Sequence, residues 1–404
     1  MRKPVLLTTV ALVFLGLAFE ALAQIPPPKD PADMLSKAYR GPSYSPYAAR
    51  TFATRPLWGD SHLHTGNSFD AGAFGATLQP EDAFRFARGD EVVSSTGIPV
   101  RLSRPLDWLA VTDHSDNVGF FPDLMAGNED LLSVPKGKQL YDRIMAGEGA
   151  GVAYELIGLF ANGNFPTDLM YWPDEPAFRN VWERSVEAAE VYNDPGHFTA
   201  FIGYEWTSLV SGNNMHRVVM YRDGAEEALH NVPYTTYPPY GSPNPRDLWK
   251  WLADFEKNTG GNVLALAHNG NLANGIMFPV DAQYDGKRLD KEYVEQRIKW
   301  EPIYEVTQIK GDGEAHPYLS PEDEFADYGT WDIGNLDTSP TVKTDDMLAG
   351  EYAREALKNG LVLEKRLGTR SLTVLTDRGA QAGEPEGWPR VSNAPGRRGL
   401  HHLR

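Results

Sequence analysis

The chain has no cysteine among its 404 residues, so no disulfide can staple it even in an oxidising compartment. At this length none is needed, because a domain of several hundred residues buries enough apolar surface by itself. Positive charge is also scarce, with 38 Lys and Arg against 55 Asp and Glu and a net charge of -17. That balance argues against a broad nucleic-acid-binding face. A substrate carrying phosphate would therefore need a local source of positive charge, which bound metal ions would supply. Also missing are an internal repeat, a low-complexity tract and a glycine-rich loop of the P-loop or dinucleotide type. After residue 23 no run is long and apolar enough to span a bilayer.

What is present begins with Met1-Arg2-Lys3, an apolar stretch from Val5 to Phe19, and Ala21-Leu22-Ala23 before Gln24. This order reads as a secretory signal peptide over residues 1–23, cleaved after Ala23. A retained anchor is the weaker reading, since the apolar run falls short of the roughly 20 residues that cross a membrane. A periplasmic or secreted protein without a stable membrane anchor is expected. Residues 24–55, rich in proline, tyrosine and small residues, have no helical or alternating period and read as an extended arm.

From residue 56 to 365 short apolar runs alternate with amphipathic segments. Strand candidates are Leu57–His64, Trp108–Thr112, Ala200–Glu205, Arg217–Tyr221, Val263–Ala267 and Ile303–Ile309. Phe178, Val181, Trp182, Ala189 and Tyr192 recur at helical spacing, as do Leu248, Trp251, Leu252 and Phe255. A third helix is expected over Asp345–Asn359, stopping at Gly360. The alternation places the chain in the α/β class, as a barrel or an open sheet.

The chemistry-bearing residues gather at the ends of the apolar runs. In Gly59-Asp60-Ser61-His62-Leu63-His64-Thr65, residues two apart share a strand face, so Asp60, His62 and His64 are expected to project together. Two imidazoles on one face can grip a borderline metal ion, although a His-x-His pair by itself is more often coincidence. Trp108–Thr112 runs into Asp113-His114-Ser115-Asp116, Phe201–Tyr204 into Glu205-Trp206-Thr207, and Val263–Ala267 into His268-Asn269-Gly270-Asn271. Ionisable groups at successive strand ends are where α/β barrels carry their sites, and four such ends in order make a metal site the favoured reading.

These motifs, in this order, resemble those of the polymerase and histidinol phosphatase (PHP) superfamily. More narrowly, Trp58–Thr65, Phe201–Thr207 and Ala267–Asn271 resemble an exported branch described as DUF3604, a family of unknown function. The resemblance implies a distorted (β/α)7-type barrel with two or three divalent transition-metal ions at the strand ends. Zinc, manganese and iron all suit mixed histidine and carboxylate ligation. It makes His62 and His64 ligands of one ion, Glu205 a bridging and catalytic carboxylate, and His114 and His268 ligands of a second. His216 is a further candidate ligand, with a purely structural role equally open. Asp113 is expected to orient a neighbour. Asn269, Asn271, Asn213 and Trp206 are candidate substrate contacts, against ordinary turn and packing roles. The implied activity is hydrolysis of a small-molecule phosphate ester by a metal-bound water. The rivals are an inactive or non-catalytic metal- or ligand-binding protein and a metallohydrolase of amides or sulfate esters.

The sequence departs from the family in one respect. Relatives carry a late Asp-x-His motif, and nothing after Arg366 matches it: His401 and His402 have no aspartate two residues before, and His316 follows Glu314. Residues 366–404 form an atypical tail with seven arginines and no lysine. A native disordered tail and a reading-frame shift near Gly368 are both open. The missing motif favours the shift, which would leave the barrel incomplete at its C-terminal end.

Overall fold

Each of the six apolar runs forms a strand, and together they make one sheet. The structure is a computed structural model and describes residues 56–332, 334 and 342–369. The expected signal peptide, arm and tail beyond residue 369 lie outside the described residues. The strands are β1 (Gly59–Leu63), β2 (Trp108–Val111), β3 (Thr199–Trp206), β4 (Arg217–Tyr221), β5 (Val263–Ala267) and β6 (Ile303–Tyr304). They lie side by side in chain order in a curled half-barrel. β1, β2 and β3 are parallel, β4 is antiparallel to both β3 and β5, and β6 is parallel to β5.

Strand alternation divides the sheet into two faces. On the inner face Trp108, Ala110, Phe201, Val218, Met220, Leu264 and Leu266 pack together, joined by Ile303. The Trp108 indole lies so close over β1 that a Cβ at Gly59 would come within 2.1 Å of it, which is why glycine opens that strand. On the outer face Leu109, Val111, Ile202, Tyr204, Val219, Tyr221, Val263 and Ala265 pack against helices including Pro176–Tyr192 and Pro245–Thr259. The second of these helices is tightly bounded: the Asn244 side chain accepts from Arg246 N, Pro245 occupies its first turn, and Gly260 closes it in the left-handed conformation.

Three sequence expectations change. The run Ile303–Ile309 is not one strand: it breaks after Tyr304, and Thr307–Gln308 turns back as a hairpin onto Gly311–Asp312. The helix expected to stop at Gly360 instead runs Ala353–Leu367, with Gly360 buried inside it and Gly368 as its left-handed cap. Packing of that face outweighs the roughly 1 kcal/mol that glycine costs within a helix, and the tail's expected start at Arg366 falls in the last turn. Third, the described strands form a mixed six-stranded sheet curled as a half-barrel, where the resemblance implies a (β/α)7-type barrel. Between β2 and β3 lies a helical segment not anticipated above, Phe120–Met125, Glu129–Ser133, Pro135–Met145 and Gly149–Ala161, with its own core around Phe120, Leu140, Leu156 and Phe160.

Candidate metal centre

Strand parity brings the site together. His114 continues the inner-face series of Trp108 and Ala110, Glu205 that of Phe201, and His268 that of Leu264 and Leu266. His216 stands just before β4, which is antiparallel to its neighbours, so the start of β4 lies at the same end of the sheet as the finish of β3 and β5. Five imidazoles thus gather around one carboxylate above the inner apolar cluster, and all six residues are buried.

Glu205 divides its two oxygens between them. Oε2 lies 2.9 Å from His62 Nε2, 2.6 Å from His64 Nε2 and 3.7 Å from His114 Nδ1. Oε1 lies 2.6 Å from His216 Nδ1 and 2.9 Å from His268 Nε2. The division differs from the ligand sets that the resemblance implies, because His114 stands nearer the oxygen that faces His62 and His64, while His216 and His268 share the other.

Behind the inner ring stands a second layer of carboxylates. His62 Nδ1 is 2.8 Å from Glu305 Oε2, and His64 Nδ1 is 2.9 Å from Asp70 Oδ1. Asp70 Oδ2 reaches His114 Nε2 at 3.4 Å, and His114 Nδ1 meets Thr207 Oγ1 at 2.8 Å. Asp70 is itself held by Ser68 Oγ and by its neighbour's amide, Ala71 N. An imidazole with one nitrogen turned to the centre and the other on a carboxylate is the arrangement that fixes tautomer and ring direction in metal-ligating histidines.

Electrostatics separates the histidines. Burial pushes His62 and His268 down to about 4 and His216 to about 3, against the pull of Glu205. Each is therefore a neutral imidazole at neutral pH, with one ring nitrogen carrying a proton and the other offering a lone pair. His64 is the exception: its burial is outweighed by Asp70 and Glu205, which raise it to about 10. Glu205 and Asp70, though buried, are held well below the usual carboxylate range by the surrounding imidazoles. Burial lifts Glu305 to about 7, helped by the charge of Glu205.

These donors fit divalent ions. His62 Nε2 and His64 Nε2 lie 3.2 Å apart, both directed at one oxygen, while buried His216 Nε2 and His268 Nδ1 have no partner. Three groups bring ligand atoms within 4.8 Å of one another: His62, Glu205 and His268; His64, Asp70 and His114; and His114, Glu205 and His216. Neutral imidazole with carboxylate is the donor set of borderline transition metals.

Other expected site residues are placed differently. Asp60 accepts from His62 N at 2.9 Å and joins none of the metal-competent groups among the described residues. Asp113 has the opposite parity to His114 and accepts from Thr65 N at 2.5 Å and Thr65 Oγ1 at 2.7 Å. It ties the ends of β1 and β2 together and is a positioning residue. Trp206, next to Glu205, points to the outer face and is fully buried in the core beneath the helices, so it cannot contact a substrate at the centre. Asn271 is fully buried and donates to Lys310 O at 3.0 Å, which clamps the Thr307–Asp312 hairpin. Asn213 accepts from Asn274 Nδ2. Asn269 stays beside His268, in the left-handed conformation, with its buried Oδ1 unpartnered. His316 pairs with Asp332 and joins none of the metal-competent groups among the described residues.

Glu305 and the role of Asp70 behind two histidines were not anticipated, and the signal for Glu305 was present. It shares parity with the inner-facing Ile303, and a carboxylate just past an apolar strand repeats the pattern of Glu205. A family model described as "Protein of unknown function (DUF3604)" matches residues 51–374. No curated protein and no solved structure matches the chain.

Proposed function

The chain being a member of the DUF3604 family, whose description names no activity, we propose from the chemistry of the centre that it is an exported, metal-dependent hydrolase of phosphate esters. The observation that carries this reading is Glu205, a carboxylate with imidazoles on both oxygens and carboxylates behind two of them. The motif order and the clustering at one end of the sheet support a place in the PHP superfamily. When bound, divalent ions lower the pKa of water and stabilise charge developing on a phosphoryl oxygen.

The protein's own residues supply the rest. Glu205 offers one oxygen to each of two neighbouring positions, with His62 and His64 on one side and His216 and His268 on the other. Glu305 and Asp70 hold His62 and His64 with their Nε2 atoms turned inward. Asp113 fixes the β1 and β2 ends from behind, and the apolar inner face below keeps bulk water from the floor of the site. The negative overall charge suits this chemistry poorly unless cations reside at the centre, which agrees with a donor set built for them. Export rests on the character of residues 1–23; among the described residues no helix is long and apolar enough to cross a membrane.

The test is elemental analysis of the purified protein together with turnover of a chromogenic phosphodiester, an amide and a sulfate ester. Two or more transition-metal ions per chain and preferential phosphodiester cleavage are expected. Full metal content with no turnover of any ester would support a non-catalytic metal-binding protein instead.

A further inference from the structure

Lys310 lies at the tip of the hairpin that follows β6, in the two-residue turn between Thr307–Gln308 and Gly311–Asp312. The hairpin begins just after Glu305, which touches His62, and it is pinned near the centre. Asn271, three residues beyond His268, donates to the carbonyl of Lys310 at 3.0 Å. Gly311 follows with φ +109, and a Cβ there would come within 2.6 Å of Trp331 Cβ and 2.9 Å of Asn271 Nδ2. Only glycine permits that approach, so the backbone at Lys310 is held in place.

The other buried or half-buried cations nearby are committed. Arg217 and Arg297 pair with Glu301, Lys343 with Glu351, and Arg354 with Glu314 and Asp323. Lys310 is half-buried and has no carboxylate partner among the described residues. A partly desolvated ammonium without a counter-ion is unfavourable, and divalent ions bound nearby would make it more so. An anionic ligand relieves both.

We propose that Lys310 is the anion-recognition residue of the centre, its ammonium engaging a non-bridging oxygen of the substrate phosphate and selecting anionic over neutral esters. The substrate class rests on the hydrolase reading; the anion site does not. A lysine suits the role because it is a compact point charge on a flexible stem, able to follow a phosphoryl group whose geometry changes.

The experiment uses the metal-loaded full chain and titrates inorganic phosphate by calorimetry into wild type, Lys310→Met and Lys310→Arg, with metal content measured on each. Lys310→Met should bind phosphate about tenfold more weakly, the factor for a lost charge-assisted hydrogen bond, at unchanged metal content. Lys310→Arg should retain most of the affinity. Equal affinity in wild type and Lys310→Met, or a wild type that binds no phosphate, overturns the proposal. Turnover of an anionic phosphodiester and a neutral ester separates it from the hydrolase reading. Weakened phosphate binding in Lys310→Met with no turnover of either ester by wild type keeps Lys310 and sinks the hydrolase, whereas phosphodiester turnover with undiminished phosphate binding in Lys310→Met does the reverse.

Discussion

Replacing Glu205 with glutamine removes one charge and almost no volume, at the point where all five imidazoles converge. Its two oxygens lie 2.6–2.9 Å from four of their nitrogens, so an ion held by those nitrogens would sit beside the carboxylate as well. A unit charge pair at 4 Å with an effective dielectric of 20 is worth about 4 kcal/mol. Its loss therefore weakens metal binding on the order of a thousandfold. The fold should survive, because the glutamine can turn the two N–H groups of its amide to His216 and His268, which burial keeps neutral and able to accept, and leave its oxygen to accept from His64. The assay is competition with a chelator of known affinity, read by elemental analysis, alongside near-ultraviolet circular dichroism to check packing. Glu205→Asp keeps the charge but shortens the reach, and should recover only part of the affinity. A Glu205→Gln protein that keeps its full complement of ions at wild-type affinity would refute the bridging role.

His62→Ala and His268→Ala strip ligands from opposite oxygens of Glu205, so each should lower metal stoichiometry while leaving part of it; unchanged stoichiometry in either removes that residue from the centre. The metal-free protein should be most stable near pH 6.5. Below that pH, His62, His216 and His268, depressed to about 4, 3 and 4, gain protons more readily unfolded, so stability falls towards pH 4. Their combined effect exceeds the opposing trend from Glu305 and Asp116, raised to about 7 and 6. Above pH 6.5 the stability contributed by His64, raised to about 10, is lost as pH climbs; ions that hold His64 deprotonated should abolish this alkaline loss, and melting curves against pH with and without chelator decide it. Glu301→Gln leaves buried Arg217 and Arg297 without their shared negative charge, while the one remaining oxygen can still accept from Trp249 Nε1. It should cost about 3–5 kcal/mol, seen as a lower Tm with metal content intact; a Tm within 1 °C of wild type, on the order of the measurement error, contradicts it.

All six strands of the sheet were legible because each is an apolar run bounded by turn residues. The histidines were legible because ionisable groups at strand ends stand out against those runs. Trp206 shows the limit: nearness in sequence is not nearness in space, because adjacent strand residues face opposite ways. Glu305 was missed because Ile303–Ile309 reads as one strand, and only the backbone break after Tyr304 reveals a strand end. Gly360 reads as a stop, since nothing in the sequence tells that its face is buried. The helices of Phe120–Ala161 are short, and their start signals are local, as where the Asn128 side chain accepts from Asp130 N and Leu131 N. No long period announces them.

Among the described strands β1 and β6 are the outermost of the sheet, and no ladder joins them to one another. Their side chains nevertheless meet where His62 touches Glu305, 243 residues apart in sequence. The centre thus acts as a clasp between the first and last strands of the curl. In hydrogen-exchange terms, amides of β3 and β4, flanked on both sides, belong to the most protected unit. An ion that draws His62 and Glu205 together joins the opening of β1 to that of the sheet's centre, so metal binding should slow exchange along the whole of Gly59–Leu63 and not at His62 alone.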